Sequence, residues 1–127
     1  MKNAFAVRPR DRRLKTRHQA RSLEVTVSPK GFFRRFQRAT AVRCIDINRY
    51  GMAIETSRRF RLKEWISLNF RGRYIAESDI LGIIASVTEV DGQFRYGINF
   101  AYCTHSKLYS REVDNALSRI ESLCSQE

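Results

Sequence analysis

Two arginines four residues apart, Arg17 and Arg21 in "RHQAR", and an acid-led turn, "DINRYG" at Asp46 to Gly51, are the parts of this chain whose types and spacing could do chemistry. A guanidinium is a planar fork of donors. It clamps a phosphate through two parallel hydrogen bonds, matches a pair of acceptors on a purine edge, and stacks flat on a base. A carboxylate is acceptor only and suits a base edge that donates. The spacing R-x-x-x-R carries little alone, because nineteen arginines generate it four times: Arg8 with Arg12, Arg13 with Arg17, Arg17 with Arg21, Arg34 with Arg38. Solvated charges on an unstructured tail give the same pattern. Position separates Arg17 and Arg21, which stand where a basic arm runs into the first strand, with the second motif about 25 residues downstream.

The elements that must position these groups are legible from periodicity. From Leu23 the chain alternates, with Leu23, Val25 and Val27 on one face and Glu24 and Thr26 on the other, as a half-buried strand does. "SPKG" punctuates it. "FFRRFQRATAVRCIDI" reads as a hairpin arm followed by a strand through Ala41 to Ile47, which "NRYG" ends. "GMAIET" is short and strand-compatible, "WISLNF" alternates again, and "FRGRY" supplies a turn. A long strand, "DILGIIASVTEV", meets "QFRYGINFAY" across Asp91-Gly92, a short-hairpin signal. Six strands joined by short turns predict a mainly β fold: a closed or nearly closed six-stranded antiparallel β-barrel. After Thr104 the period becomes helical, with Val113, Ala116, Leu117, Ile120, Leu123 and Cys124 forming one apolar stripe on a C-terminal α-helix expected to lie against the barrel. The expected boundaries are a flexible basic N-terminal arm at 1–21, the barrel at 22–104 and the helix at 105–127.

With 127 residues, 43% hydrophobic and 29% charged, the chain fits one domain. The net charge of +11 implies an anionic partner. Eight basic residues against Asp11 stand within the first 21, too polar a stretch to bury much. No apolar run approaches membrane-span length and the start lacks a signal-peptide core, so a soluble, cytoplasmic protein is expected. Cys44, Cys103 and Cys124 are odd in number and scattered, without a CxxC pair, and read as reduced core or half-buried thiols, not as a disulfide framework or zinc site. His18 and His105 are far apart, and no nucleophile–base set or acidic cluster is evident, so neither catalysis nor a metal or cofactor is expected.

The order R-x-x-x-R, a strand pair, D-x-[SN]-x-x-G at a strand end, three more strands ending in "YGINF" and then a helix resembles the PilZ domain over roughly residues 13 to 124. PilZ domains are bacterial receptors for the second messenger cyclic di-GMP. The resemblance implies a cyclic di-GMP-binding receptor or adaptor, not an enzyme, with Arg17, Arg21, Asp46, Asn48 and Gly51 as ligand residues. It also implies a regulated downstream protein acting in motility, adhesion or exopolysaccharide output. Arginines on the arm would close over guanines and phosphates, Asp46 would accept from the guanine N1–H and amino group, and Gly51 would give a positive-φ turn or let a base approach closely. Asn48 stands where the family most often has serine, and its amide oxygen can accept from a guanine amino group. Thr16 stands where many members carry a further arginine associated with a stacked ligand dimer, a role open to Arg12 or Arg13.

Three other readings belong beside this one. Asp46, Asn48 and Gly51 are also ordinary turn residues. "GFFRRFQR", residues 31 to 38, interleaves aromatics and arginines either as a hairpin or as a single-stranded nucleic-acid surface, which would make this a small basic β-barrel binding RNA or single-stranded DNA. A degenerate PilZ domain acting only through protein contacts is the third.

Overall fold

The computed structural model describes residues 23–30, 39–73 and 75–125. Arg12, Arg13, Thr16, Arg17, His18, Arg21 and the "GFFRRFQR" segment lie outside them. Among the described residues six strands follow one another: β1 (Glu24–Pro29), β2 (Thr40–Ile47), β3 (Gly51–Thr56), β4 (Trp65–Arg71), β5 (Ala76–Val90) and β6 (Gln93–Phe100). They close antiparallel into a barrel in the spatial order β1-β2-β3-β6-β5-β4, with β4 returning to β1. A one-turn helix, α1 (Ala101–Thr104), a 3₁₀ turn at Ser106–Leu108 and the C-terminal helix α2 (Arg111–Ser125) follow.

Alternation does what the sequence predicts. Val25 and Val27 in β1, Met52 and Ile54 in β3, Ile66, Leu68 and Phe70 in β4, and Tyr96, Ile98 and Phe100 in β6 all point inward and are buried. Each aliphatic side chain so buried is worth roughly 1.5–3 kcal/mol of transfer free energy. The stripe of α2 is covered: Leu117, Ile120 and Cys124 join the barrel core, with Val113 packed at its margin. The expected Asp91-Gly92 hairpin forms, with φ of 52° and 80° at the two turn residues, as a primed turn requires, and with Val90 opposite Gln93.

Closure depends on β5, which is 15 residues long and serves two neighbours in succession. Its first half pairs with β4 as far as Trp65–Ile83, and its second half pairs with β6 from Gly82–Phe100 onward. The switch occurs around Gly82, where an added Cβ would lie 2.7 Å from the Ile98 side chain and 3.0 Å from that of Leu68. Single-residue bulges bend the sheet further: register shifts lie between Cys44 and Asp46 in β2, and between Ile84 and Ser86 in β5. A third shift lies where β5 faces Leu68–Phe70, and Asp79 there takes φ 60° with its N–H donating to Asn69 Oδ1 at 3.0 Å.

The end of β6 differs from the sequence reading. The alternation of "QFRYGINFAY" runs on to Tyr102, yet the ladder ends at Phe100, because Phe100, Ala101 and Tyr102 are all buried in succession and the chain turns into α1. Three consecutive apolar residues look the same to period-two and helical templates, so the end of the strand is not visible from residue types.

Candidate functional site

The D-x-N-x-x-G turn joins β2 to β3 at one end of the barrel. Asn48 is its keystone. It is 2% exposed, and its Oδ1 accepts the backbone N–H of Tyr50 at 2.8 Å and of Gly51 at 3.1 Å. Its own N–H donates to the Gly51 carbonyl at 3.0 Å. The amide oxygen expected to accept from a base therefore serves the turn itself, as Asx residues do. Gly51 begins β3 opposite Asn99 and is buried; among the described glycines the one with positive φ is Gly92, so the positive-φ role expected of Gly51 is not what the backbone asks of it. Asp46 follows the β2 bulge, half-buried, and pairs with Ala53. Because Ile47 and Met52 face the core, Asp46 and Ala53 face outward.

Register then extends this outer face across four strands. Asp46, Ala53, Gly97 and Ser86 form one row, and Gly51, Asn99, Ile83 and Trp65 the next row toward the turn. Arg43, Glu55, Arg95 and Thr88 form the row on the other side. At about 4.8 Å between strands, each row spans about 14 Å. Ala53, Gly97 and Ser86 are small, so the middle row is a shallow floor with a carboxylate at one end. A Cβ on Gly97 would come within 2.5 Å of Ser86 Oγ, so the absence of a side chain there keeps the floor flat.

The flanking row is cationic and tied together. Glu55 accepts from Arg43 Nη2 at 2.9 Å and from Arg95 Nη2 at 3.1 Å, and the hydrogen bond from Arg43, ahead of that from Arg95, holds its carboxyl below the usual glutamate range. Arg95 Nε is covered and has no hydrogen-bond partner. A covered donor without an acceptor is costly, on the order of 1–3 kcal/mol.

Sequence reasoning missed Ala53, Ser86, Arg95, Gly97 and Asn99. The signal was present in "QFRYGINF", where strict alternation puts Arg95, Gly97 and Asn99 on the face opposite Phe94, Tyr96, Ile98 and Phe100; only the cross-strand register shows that Asp46 shares that face.

The turn is also clasped from behind. The Tyr102 hydroxyl donates to the Arg49 carbonyl at 2.7 Å and lies 3.2 Å from Asp114 Oδ1 on α2. Tyr109 donates to Asp114 Oδ2 at 3.1 Å, Arg49 reaches Ser118 Oγ at 3.5 Å, and the Phe100 N–H donates to the Tyr50 carbonyl at 3.0 Å. Burial, then its neighbours Cys103 and Asp114, push the Tyr102 phenol well above its ordinary 10.0. Arg49, Tyr50, Tyr102, Cys103, Tyr109 and Asp114 line a groove of about 530 Å³ between the turn and α2. Of the three thiols, none of them in a disulfide, Cys124 is buried and Cys44 half-buried as expected, but Cys103 is exposed, since the single turn of α1 directs it outward, its Sγ 3.6 Å from the Arg49 carbonyl. His105 packs edge-on against Trp65, ring centroids 5.1 Å apart. Among the described residues, no cluster of three or more histidines, cysteines or acids could hold a metal, and no helix is long and apolar enough to cross a membrane.

No family model and no curated protein sequence matches this chain. Among solved structures it is similar to the PlzA protein of Borreliella burgdorferi, whose crystal structure was determined in complex with c-di-GMP: 17% identity, 88% of this chain, TM-score 0.51. The match spans 42% of the PlzA chain, so this chain corresponds to less than half of that protein. What the likeness shows is the architecture: a closed six-stranded antiparallel barrel followed by a C-terminal helix, a PilZ-like fold.

Proposed function

We propose that this protein is a receptor for cyclic di-GMP that binds the ligand on the outer face at the Asp46 end of the barrel and acts by changing shape, not by catalysis. The observation that carries the reading is strand register. Val25 of β1 lies opposite Val42 of β2, and the two strands run antiparallel, so the start of β1 at Glu24 and the end of β2 near Asp46 stand at the same end of the barrel. Arg21 precedes Glu24 by three residues, a reach of roughly 10 Å, and Arg17 and Arg13 follow at four-residue intervals. The guanidiniums of Arg17 and Arg21 clamp phosphates and guanine edges, Asp46 accepts from a guanine N1–H and amino group, and the floor of Ala53, Gly97 and Ser86 receives the flat face of a base. Asn48 and Gly51 shape the turn that presents Asp46, and Arg13 is a further cation for a second ligand molecule. The likeness to a protein solved with this ligand supports the choice of ligand.

Binding would order the basic arm, since phosphates neutralise its self-repulsion, and the altered surface is what a downstream protein in motility, adhesion or exopolysaccharide control would read. Calorimetry tests this directly. Cyclic di-GMP should bind the wild-type chain far better than GTP or a short oligonucleotide, and Arg17→Ala and Arg21→Ala should each abolish binding with an unchanged thermal melt. Wild-type affinity in both variants would refute the site. Oligonucleotide binding that falls steeply with salt, along a slope of several phosphates, would instead favour a nucleic-acid-binding barrel.

A further inference from the structure

The connection from β3 to β4, "SRRFRLKE" at residues 57–64, carries four cations, Arg58, Arg59, Arg61 and Lys63, against the single carboxylate of Glu64. That carboxylate is used within the loop: its Oε1 accepts the Arg61 N–H at 2.8 Å, while the Glu64 N–H donates to the Arg61 carbonyl at 3.1 Å. Phe60 anchors the segment. It is 8% exposed, its N–H donates to the Tyr96 hydroxyl at 2.8 Å, and that hydroxyl in turn donates to the Arg58 carbonyl at 3.1 Å. Lys63 takes φ 69° and is pinned by its N–H to the Ile84 carbonyl at 2.7 Å. A turn held at so many points is rigid, yet it leaves Leu62 57% exposed between exposed Arg61 and Lys63. A fixed loop that displays a large aliphatic side chain between cations offers an apolar and a charged contact on one rigid surface.

We propose that this loop is a docking knob for a partner protein that offers an apolar pocket rimmed by carboxylates, with Leu62 entering the pocket and Arg59, Arg61 and Lys63 pairing with the rim. Charge complementarity selects carboxylates, and the preponderance of arginine selects partners that can accept a planar fork. The aromatic rings nearby are not open platforms for nucleobases: Arg58 lies over Phe60 at 5.2 Å and Arg59 over Phe94 at 5.1 Å from the ring centroids. Stacking also holds these guanidinium heads in place before any partner arrives, which lowers the ordering cost of binding. The loop stands at the end of β3 opposite Gly51, roughly 17 Å along the strand, so it can be occupied together with the candidate ligand site. The proposal does not depend on the identity of that ligand.

The test uses the full chain without any nucleotide and a fluorescent random copolymer of glutamate and tyrosine, with poly-L-glutamate, phosphatidylglycerol vesicles and oligo-dT as comparisons. The wild type should prefer the copolymer to poly-L-glutamate. Leu62→Ser should erase that preference, and the triple Arg59→Ala/Arg61→Ala/Lys63→Ala should weaken copolymer binding about tenfold or more, with thermal melts unchanged because all four side chains are exposed. A triple variant within twofold of wild type overturns the proposal. So do a wild type that ignores the copolymer, a Leu62→Ser variant that keeps the preference, or an Arg8→Ala/Arg10→Ala/Arg12→Ala arm variant that loses as much as the triple. Tighter binding to vesicles or to oligo-dT than to the copolymer, lost in the triple, also overturns it and reassigns the loop to lipid or nucleic acid.

Discussion

Gly97 on β6 and Ser86 on β5 face each other on the outside of the barrel so closely that a methyl group on Gly97 would sit 2.5 Å from the serine hydroxyl. Ser86 is short and exposed and can turn away, so the fold tolerates a side chain at Gly97, while the floor beside Asp46 does not stay flat. Gly97→Val is expected to melt within a few degrees of wild type, since valine suits a strand, and to lose about tenfold or more in cyclic di-GMP affinity by calorimetry. Unchanged affinity would put the base elsewhere.

Gly82 is the inward counterpart. A methyl there meets Ile98 and Leu68 in the core, where neither side chain has room to retreat. Gly82→Ala is expected to destabilise the barrel by about 1–3 kcal/mol, the usual cost of overpacking. Urea unfolding followed by tryptophan fluorescence measures it, and a midpoint equal to wild type would show that the β5 corner has slack.

Removal of the Asn48 side chain leaves the Tyr50 and Gly51 N–H groups without their acceptor. Asn48→Ala should therefore cost about 2 kcal/mol, and Asn48→Asp, which keeps an acceptor oxygen in place, much less. Equal melting of the alanine variant and the wild type would mean that water replaces the amide without penalty.

Alkaline stability follows from Tyr102, whose phenol is raised above 10.0 in the folded chain by burial first and then by its neighbours Cys103 and Asp114. Tyr109 shifts the same way, chiefly through its hydrogen bond to Asp114. A raised folded value means that unfolding releases protons more readily. The contribution is complete below about pH 10, the ordinary phenol value, and is lost as pH rises beyond it. Wild-type unfolding free energy should fall more steeply above about pH 10 than that of Tyr102→Phe, even though the variant starts lower near pH 8 for want of the bond to the Arg49 carbonyl. Parallel slopes would exclude Tyr102 as the titrating group.

Most of the barrel was legible because one face of each strand is buried and the other is not. Val25 and Val27, Ile66 and Leu68, and Ile98 and Phe100 announce their strands by alternation alone, and Asp91-Gly92 announces its turn. The candidate site was legible only as separate motifs. Asp46 and Gly51 could be picked out by type and spacing, but that Asn48 serves the backbone depends on burial, and that Gly97 and Arg95 flank the carboxylate depends on the pairing of β3 with β6, strands some 40 residues apart. A bulge such as the one between Cys44 and Asp46 shifts every later residue of its strand by one place and leaves no mark in composition.

The clasp formed by Tyr102, Asp114 and Ser118 on Arg49 ties the tail of the chain to the loop that presents Asp46. Deletion mapping will therefore mislead here. Cutting the chain before residue 111 removes no proposed nucleotide contact, yet it strips the loop of its backing and takes Leu117, Ile120 and Cys124 out of the core, so a shortened fragment that fails to bind cyclic di-GMP says nothing about where the proposed site lies.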